Sequence, residues 1–336
     1  MQHNAKKARF AIVGSGWRAA FYVRIAKAFP EQFELLYMLC RTSEKAERLA
    51  KELDIPTTTK IQDCIDAKPD FVVVAVTKSS MTDVALEWVE RGFFVLAETP
   101  AALNLETIEK LKSLGEKGNR LVIAEQFHLY PEYSAILSLL KKDLIGEPTT
   151  LNISLAHEYH AASLIRMILR IPIDMKFSVH AKTYEFPTTE TLTRYERFTD
   201  GRIANKKRTA ATFEFENGKV AFYDFDSEQY RSPIRKNTLK IQGVRGEIID
   251  RKVYYLDEKN EAQEMDIAFE TNELTQKAAA KKLSQDETAI ATLMQKMSAY
   301  TQGTGATPYP LEEAIQDSYM AITMLQSVRD RKSILG

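Results

Sequence analysis

Cysteine and net charge are what this sequence has least of. The 336 residues include two cysteines, Cys40 and Cys64, and 46 basic residues balance 46 acidic ones. Two cysteines are too few for a disulfide scaffold or a structural zinc cluster, and they agree with a reducing compartment. A balanced charge gives no reason to expect nucleic acid or an anionic membrane as a partner. We therefore expect a cytoplasmic protein without nucleic-acid or membrane partners.

Long hydrophobic runs are missing as well. No stretch of about 18 apolar residues is present, which argues against a membrane-spanning helix. The first residues, MQHNAKKARFAIVG, lack the apolar core of a secretory signal and lead directly into a predicted strand. A chain of this length is too long for one hydrophobic core, so we expect two domains.

Residues 1–126 alternate between strand and helix patterns. The apolar runs are RFAIVG, FELLYML, DFVVVAV, FFVLAE and RLVIAE. Nearly continuous apolar strands indicate burial on both faces, and therefore a parallel sheet that is covered by helices. We predict a doubly wound α/β Rossmann domain, whose ligand binds beyond the carboxyl ends of the strands.

The pattern changes in residues 127–336. Strand-like runs dominate from Lys176 onward, and Asn217-Gly218 lies between two alternating runs, which is a strong hairpin signal. We predict an α+β domain with a mainly antiparallel open sheet and helices on one face. Two amphipathic segments close the chain, ETAIATLMQKMSAY and LEEAIQDSYMAITMLQSV. These helices are candidates for packing back on the first domain.

A glycine-rich turn follows the first predicted strand. It reads GSGWRA, which is a G-x-G-x-x-A pattern between a strand and a helix. Gly14 permits the tight turn, Gly16 lets the backbone approach a pyrophosphate, and the helix N-terminus faces the anion. The alternative is a glycine turn without a ligand. We assign to the cofactor site the residues Gly14, Ser15, Gly16, Trp17 and Arg18.

The second predicted strand ends without the carboxylate that usually binds the ribose of NAD. Arg41, Thr42 and Ser43 follow it instead and offer a cation and two hydroxyls. A guanidinium matches the geometry of a 2′-phosphate. We therefore predict that these three residues bind the cofactor and that NADP is preferred over NAD. The alternative is that Arg41 stacks on adenine and selects neither.

Several segments of the chain, taken in order, resemble the Gfo/Idh/MocA family of oxidoreductases. Besides the glycine turn, they are AVTKSSMTDVALEWVERGFFVLAETPAAL, AEQFHLYPEY, LKKDLIGEP and LEEAIQDSYMAI. The resemblance covers nearly the whole chain and implies a Rossmann domain followed by an open-sheet domain. It further implies hydride transfer between a nicotinamide cofactor and a sugar, cyclitol or similar small molecule. Many members are dimers or tetramers, so we expect a homodimer or homotetramer through the open sheet.

The resemblance carries over unevenly to the nicotinamide side. The family's Glu-Lys-Pro motif matches Glu98-Thr99-Pro100, so Thr99 stands where the family has a lysine. A threonine hydroxyl cannot supply that positive charge. The family's Pro-Asn pair matches Thr77 and Lys78, and for Lys78 a solvated surface position is the alternative. We assign Thr77, Lys78, Glu98 and Thr99 to the cofactor site and count Thr99 as catalytic too.

The substrate side also departs from the family. An Asp and a His four residues later match Ala156 and His160, so the acid is missing. Alcohol oxidation needs a group that takes the hydroxyl proton, and His160 is the best remaining candidate. Tyr159, as a phenol, is the second catalytic candidate. Gln126 and His128 come from the segment that lines the site in the family, and they join His160 as substrate candidates.

The segment LAHEYHAAS superficially resembles the zinc motif H-E-x-x-H, but its spacing is one residue short. No further His, Cys or acid follows at ligand spacing, so we predict no metal site. For each of these histidines a buried, hydrogen-bonded structural role is the alternative. We expect that role for His157 and a functional role for His160.

Two functions of different classes are compatible with these residues. The first is an NAD(P)-dependent oxidoreductase that acts on a sugar-like or cyclitol-like molecule, or on an imine or conjugated compound. Reduction of the latter needs a proton donor but no lysine-assisted base. The second is a dinucleotide-binding sensor or regulator, which the changes at Thr99 and Ala156 favour. A pure scaffold with an empty glycine turn is the third interpretation.

Overall fold

The computed structural model describes residues 7–193, 195–269 and 271–336. The chain divides into two compact units, of which the first comprises Met1–Tyr130 and Thr271–Ile315 and the second Pro131–Glu270 and Gln316–Gly336. The sequence predicts a single boundary between residues 126 and 127, with the closing helices as candidates for packing back on the first domain. In the structure, Thr271–Ile315 is part of the first unit.

The first unit is built on a parallel sheet. Its six strands within the described residues are β1 (Ala8–Val13), β2 (Phe33–Leu39), β3 (Thr57–Thr58), β4 (Phe71–Val74), β5 (Val95–Ala97) and β6 (Leu121–Ile123). The helices among them are α1 (Ala19–Ala28), α2 (Ser43–Leu53), α3 (Ile61–Asp66), α4 (Lys78–Glu90) and α5 (Leu105–Lys112). The strand order is β3-β2-β1-β4-β5-β6, and all neighbours pair in parallel. This is the Rossmann order, and the predicted doubly wound fold is confirmed.

Apolar strand sequences explain why this sheet lies in the interior. Val72, Val73 and Val74 of β4 have no exposed surface, and Phe10 and Ile12 of β1 are equally buried. β-branched side chains suit an extended backbone that is covered on both faces. Burial of one such side chain contributes about 1.5–3 kcal/mol. The strands therefore give a stable base to the loops at their carboxyl ends.

The loops that can reach a ligand leave the sheet at these carboxyl ends. From β1 the chain continues to one side of the sheet and from β4 to the other, so the ligand crevice of this fold lies between β1 and β4. The glycine turn follows β1, and residues 75–77 follow β4. Glu98 follows β5 directly, and Glu125 lies two residues beyond β6.

The second unit contains an open mixed sheet. Its strands among the described residues are β7 (Pro148–Ser154), β8 (Phe177–Thr189), β9 (Ile203–Phe215), β10 (Val220–Asp226), β11 (Thr238–Gly243), β12 (Gly246–Ile249), β13 (Lys252–Leu256), β14 (Ala262–Asp266) and β15 (Ile334–Leu335). The order is β14-β13-β12-β11-β7-β10-β9-β8-β15. β7 and β10 pair in parallel, and the other neighbours are antiparallel. The mainly antiparallel sheet is therefore confirmed, and the Asn217-Gly218 turn joins β9 to β10 as predicted.

The remaining helices follow β6 in the chain. They are α6 (Pro131–Lys141), α7 (Glu158–Leu169), α8 (Glu273–Ala280), α9 (Gln285–Thr301) and α10 (Leu311–Asp330). α6 and α7 belong to the second unit, whereas α8 and α9 belong to the first, where α9 packs against α1. Among the described helices, none is both long enough and apolar enough to cross a membrane.

Candidate functional site

The glycine turn after β1 is tight because β4 lies beside it. Gly14 has a φ of +114°, a conformation that favours glycine. A Cβ atom on Gly14 would lie 2.3 Å from the carbonyl oxygen of Ala75. Around Gly16, by contrast, no described atom lies within 4 Å of the Cβ that another residue would carry. Gly14 is thus required by the fold, and Gly16 leaves open space that a pyrophosphate can fill.

Helix α1 begins directly after this turn. Its N-cap residue, Arg18, makes no capping hydrogen bond through its side chain within the described structure, and the first turn contains no acidic residue. The N–H groups at a helix start carry partial positive charge and attract anions. Trp17 is half-exposed and packs edge-on against Phe21, with ring centroids 5.4 Å apart. The turn and the helix end therefore suit the phosphates of a dinucleotide.

The Arg18 guanidinium pairs with two carboxylates of the first unit. Its Nε donates to Glu98 Oε1 at 2.7 Å, and its Nη1 pairs with Asp286 Oδ2. The hydroxyl of Tyr22 donates to the same Glu98 oxygen at 2.7 Å. Burial acts to lower the pKa of Arg18, but the charges of Glu98 and Asp286 outweigh it and raise the pKa above its usual range. Arg18 therefore holds the glycine turn, the end of β5 and α9 together.

Asp286, in the first turn of α9, extends this group of residues. Its Oδ1 accepts a hydrogen bond from Gln126 Nε2 at 2.8 Å and another from the Tyr130 hydroxyl at 3.1 Å. Three predicted site residues, Arg18, Glu98 and Gln126, are thereby brought into one hydrogen-bonded group. We call the residues Arg18, Tyr22, Glu98, Gln126 and Asp286 the charged network.

Glu125 lies beside the charged network and is a residue that the sequence prediction missed. Its side chain is 2% exposed and accepts a hydrogen bond from the backbone N–H of Phe127 at 3.0 Å. Burial raises the pKa of Glu125 to about 8, whereas the Phe127 N–H and the charge of Arg18 act to lower it. Glu125 is therefore protonated at neutral pH and can gain or lose a proton close to it.

The other predicted residues of the nicotinamide side lie around the ends of β4 and β5. Thr99 is 8% exposed, and its peptide bond to Pro100 is cis. Thr77 and Lys78 are exposed at the start of α4, and the Thr77 hydroxyl donates to Ser80 Oγ at 3.3 Å. The residues predicted for the nicotinamide side thus differ in solvent accessibility. Thr99 is enclosed, whereas Lys78 reaches solvent.

The three residues predicted to select NADP follow β2 and are exposed. Thr42 is the N-cap of α2, and its Oγ1 accepts a hydrogen bond from the Lys45 N–H at 3.3 Å. Arg41 and Ser43 flank this cap. Burial raises the pKa of the Cys40 thiol, and the backbone N–H of Gly14 in the glycine turn donates to the Leu39 carbonyl at the end of β2 at 3.2 Å. The end of β2 is therefore connected to the turn. The exposed guanidinium of Arg41 remains accessible to a phosphate.

Gln126 and His128, the predicted substrate residues of the first unit, are largely enclosed. Gln126 is 2% exposed, and its Oε1 has no hydrogen-bond partner among the described residues. His128 Nδ1 likewise has no hydrogen-bond partner within the described chain. Burial and the charge of Lys296 lower the pKa of His128 to about 4, so the imidazole is neutral. Its ring lies 5.5 Å from that of Tyr309, which gives His128 a packing role as well.

The second unit carries the other predicted residues at the start of α7. Tyr159 and His160 are buried, and their rings are 4.4 Å apart. His157 precedes the helix as its N-cap, with its ring 4.9 Å from that of His160. We expected His157 to be buried, but it is only half-buried. Its two ring nitrogens contact the hydroxyls of Tyr159 and Tyr230.

Metal ligands do not converge in the parts of the chain that the structure describes. Within residues 7–193, 195–269 and 271–336, no group of three or more His, Cys, Asp or Glu side chains is arranged to hold a metal ion.

Most of the missed residues gave no local signal. Asp286 contacts Arg18 across 268 positions of the chain, and Tyr230 contacts His157 across 73. Tyr22 occupies an apolar position of an amphipathic helix pattern and therefore looks like a core residue. Glu125 is the exception, because it ends a buried strand in the same way as Glu98 and the same criterion would have selected it.

The fold and the glycine turn define a class of protein, the dinucleotide-binding Rossmann proteins with an additional open-sheet unit. Residues 8–126 match the model of the Gfo/Idh/MocA family, described as an oxidoreductase family with an NAD-binding Rossmann fold. The resemblance found in the sequence is thereby confirmed over residues 8–126. A comparison with curated protein sequences finds no match.

Solved structures share the fold over the full length of the chain. An oxidoreductase from Agrobacterium radiobacter in complex with NAD+, L-tartaric acid and magnesium has a TM-score of 0.72 and 14% identity, and the match covers 98% of both chains. A myo-inositol dehydrogenase from Corynebacterium glutamicum has a TM-score of 0.66 and 16% identity, again over 98% of both chains. A scyllo-inositol dehydrogenase from Lactobacillus casei has a TM-score of 0.69 and 14% identity over 99% of both chains. At these identities the likeness concerns the fold.

Proposed function

We propose that the protein is an NAD(P)-dependent oxidoreductase that transfers a hydride between nicotinamide and a small molecule. The observation that carries this proposal is the glycine turn at the β1/β4 crevice, where Gly14 packs on Ala75 and Gly16 faces open space. Residues 1–126 would bind the dinucleotide, with Gly14 to Arg18 on the pyrophosphate. Residues 127–336 would serve the substrate and oligomerisation. The bound cofactor supplies or accepts the hydride.

Two classes of substrate are supported by different observations. Two of the structural neighbours are inositol dehydrogenases, which supports a cyclitol or sugar. Thr99 at the family's lysine position supports the reduction of an imine or a conjugated double bond instead. An assay with reduced and oxidised dinucleotide against both classes, followed by the near-ultraviolet absorbance of the reduced nicotinamide, separates them. Turnover of neither class by a protein that binds dinucleotide would contradict the enzymatic proposal.

The cofactor preference is proposed from Arg41, Thr42 and Ser43. The Agrobacterium radiobacter neighbour contains NAD+, which supports dinucleotide binding in this fold, and Arg41 is what favours a 2′-phosphate here. Arg41→Ala should weaken NADPH binding about tenfold, which corresponds to about 1.4 kcal/mol, and leave NADH binding unchanged. Arg48→Ala is the matched control, because Arg48 lies on α2 and pairs with Glu52. Equal effects of the two variants on NADPH would refute the preference.

Proton transfer is proposed for Tyr159 and His160, with Thr99 contributing its hydroxyl. Gln126, His128 and His160 are the proposed substrate contacts. Their support is residue type and burial, since a buried imidazole or phenol can hold a proton at a fixed position. His160→Gln should lower turnover by about a hundredfold. His180→Gln, at an exposed histidine on β8, is the control and should leave turnover unchanged.

A sensor or regulator that binds dinucleotide without catalysis is the second candidate. The observation in its favour is the chemistry at two positions, where Thr99 and the fully buried Ala156 replace a lysine and an acid of the family pattern. This candidate predicts saturable dinucleotide binding together with no turnover in the substrate assay. Turnover of any compound would exclude it.

Association through the open sheet is the proposed quaternary arrangement, as a homodimer or homotetramer in the cytoplasm. Its support is the exposed side of the sheet, where Tyr184 and Phe222 are each more than two-fifths exposed, and Phe222 lies between the buried residues Ala221 and Tyr223. Large exposed aromatic side chains are typical of interfaces. Phe222→Glu should convert the oligomer to a monomer, as measured by light scattering. A monomeric wild-type protein would contradict the proposal.

A further inference from the structure

The imidazole of His157 lies between two tyrosine hydroxyls of the second unit. Its Nδ1 is 2.5 Å from Tyr230 Oη, and its Nε2 is 2.9 Å from Tyr159 Oη. A neutral imidazole has one N–H donor and one acceptor nitrogen. One tyrosine must therefore donate to the ring while the other accepts from it. The three side chains form a continuous hydrogen-bonded chain.

The backbone fixes the direction of this chain. The His157 backbone N–H donates to Tyr230 Oη at 3.1 Å, which occupies an acceptor site of that hydroxyl and favours Tyr230 as the donor to Nδ1. Nε2 then carries the proton and donates to Tyr159 Oη. The Tyr159 hydroxyl hydrogen is directed away from His157 as a result. Tyr159 is accordingly the donor at the far end of the chain.

A strained backbone at the start of α7 holds His157 in place. Glu158 has a φ of +39°, which is rare for a residue with a side chain, and its N–H donates to Tyr223 Oη at 3.2 Å. Such strain persists only where the surroundings determine it. The His157 ring also packs against the rings of His160 and Phe225. The orientation of the imidazole between the two phenols is therefore built into the fold.

The two ends of the chain differ in their access to solvent. Tyr159 is 6% exposed, whereas Tyr230 is 39% exposed. From this difference we infer that Tyr159, His157 and Tyr230 form a proton relay. It conducts protons between bulk water at Tyr230 and a substrate oxygen or nitrogen at Tyr159. Tyr159 is the proton donor to the substrate. His157 and Tyr230 are positioning residues that return a proton to the Tyr159 hydroxyl after each transfer.

The relay rests on the proposed oxidoreductase function and completes its proton balance. In reduction, the bound dinucleotide would supply a hydride to the carbon of a C=O or C=N bond; its two electrons form the new C–H bond, and the π electrons pass to the oxygen or nitrogen. The substrate oxygen or nitrogen takes the Tyr159 hydroxyl proton. Tyr159 then takes the Nε2 proton of His157, Nδ1 takes the Tyr230 proton, and Tyr230 takes one from water. Oxidation of an alcohol or amine runs the same steps backwards.

The first test is nitrogen NMR of the full chain with ¹⁵N-labelled histidine. The chain has five histidines, and His157→Asn assigns the signals of His157. At a pH of about 8, where imidazoles are ordinarily neutral, His157 should show one protonated and one unprotonated nitrogen. Tyr230→Phe should shift the Nδ1 signal and Tyr159→Phe the Nε2 signal, while Tyr195→Phe, at a highly exposed site, should shift neither. Unchanged His157 signals in both variants would overturn the relay.

The second test measures turnover with the compound that the substrate assay identifies. His157→Asn keeps a donor and an acceptor but cannot pass a proton, and it should lower turnover by about a hundredfold. Tyr230→Phe should lower it by about tenfold, because water can partly replace the hydroxyl. Both variants should reduce the solvent deuterium isotope effect and leave dinucleotide affinity and thermal stability close to wild type.

The outcomes separate the relay from the function on which it rests. Failure to bind either dinucleotide would remove the proposed function, while the NMR signals still decide whether the hydrogen-bonded chain exists. Full turnover of His157→Asn and Tyr230→Phe in an enzyme that binds dinucleotide would overturn the relay alone. Loss of turnover with an unchanged isotope effect would also overturn it, since a merely structural role predicts that result.

Discussion

The two units organise their candidate site residues by opposite means. In the first unit the charged network uses a largely enclosed cation, Arg18, between the carboxylates of Glu98 and Asp286, and the buried acid Glu125 lies nearby. In the second unit the residues around His157 are imidazoles and phenols joined by hydrogen bonds. Charges at short distance in the interior interact strongly and fix positions. A chain of neutral donors and acceptors can instead exchange protons without moving its heavy atoms.

This difference suggests a division of labour. In the proposed function the first unit places a large cofactor, which requires rigid loops, and Arg18 joins the turn to β5 and α9. The proposed task of the second unit is proton transfer, which requires groups that can change their protonation. Damage to the first region should therefore appear mainly as lost stability, and damage to the second mainly as lost turnover. The following predictions test that contrast, beginning with the largest effect.

Arg18→Met should destabilise the protein by about 3 kcal/mol, because it leaves Glu98 and Asp286 without their cation. Arg24→Met is the matched control on the same helix, since Arg24 pairs with Glu287 of α9 but is nearly half-exposed. Glu287 keeps its hydrogen bonds from the Ser284 N–H and hydroxyl. We expect the control to cost at most about 1 kcal/mol. Urea denaturation measures both, and equal losses would break the comparison.

Gly14→Ala should destabilise the protein by about 2 kcal/mol, because its methyl group would collide with the Ala75 carbonyl at a positive φ. Gly16→Ala meets open space and should change stability by less than about 0.5 kcal/mol. The same methyl group would occupy the proposed pyrophosphate position, so NADPH affinity should fall at least about tenfold. A Gly16→Ala protein that binds NADPH like the wild type would place the cofactor elsewhere.

Glu125→Gln should change how stability depends on pH. In the folded protein the pKa of Glu125 is raised to about 8 from an ordinary value of 4.5, so the fold holds a proton that the unfolded chain releases. The contribution of Glu125 to stability is therefore complete below a pH of about 4.5 and is lost as pH rises through about 8. The variant lacks this loss. Relative to wild type it should gain about 2 kcal/mol between pH 6 and pH 8, and a constant difference would refute the assignment.

Tyr230→Phe should have a small effect on stability, about 1 kcal/mol, since the hydrogen bonds that it removes, with the His157 N–H and imidazole, are neutral and partly exposed. Thermal denaturation of this variant beside Arg18→Met compares the two regions directly. A loss as large as that of Arg18→Met would mean that the His157 region is a structural anchor. The division of labour would then be wrong.

The sequence was sufficient to predict those features that neighbouring residues determine by themselves. The doubly wound sheet follows from runs of buried β-branched residues, and the turn follows from two glycines between a strand and a helix. The same local logic selected Glu98 and would have selected Glu125, since both end a buried strand. The hairpin at Asn217-Gly218 was equally local.

What could not be predicted depended on residues brought together from distant positions. The pattern around Arg18 indicated a phosphate contact, but the structure directs its guanidinium to Glu98 and Asp286, and Asp286 lies in a helix near the other end of the chain. His157 was expected to be a buried structural residue, because Tyr230 gave no sign of its proximity. Hydrogen-bond partners across long sequence separations are set by tertiary packing, which a pattern of neighbours does not contain.

The most direct test of the central claim is an equilibrium titration with NADPH and with NADH. The chain offers a natural reporter, because Trp17 is half-exposed in the glycine turn and Trp88 is buried. The account predicts saturable quenching of Trp17 emission, tighter for NADPH, with the signal lost in Trp17→Phe while calorimetry still detects binding. Absence of saturable binding of either dinucleotide to the folded protein would contradict it.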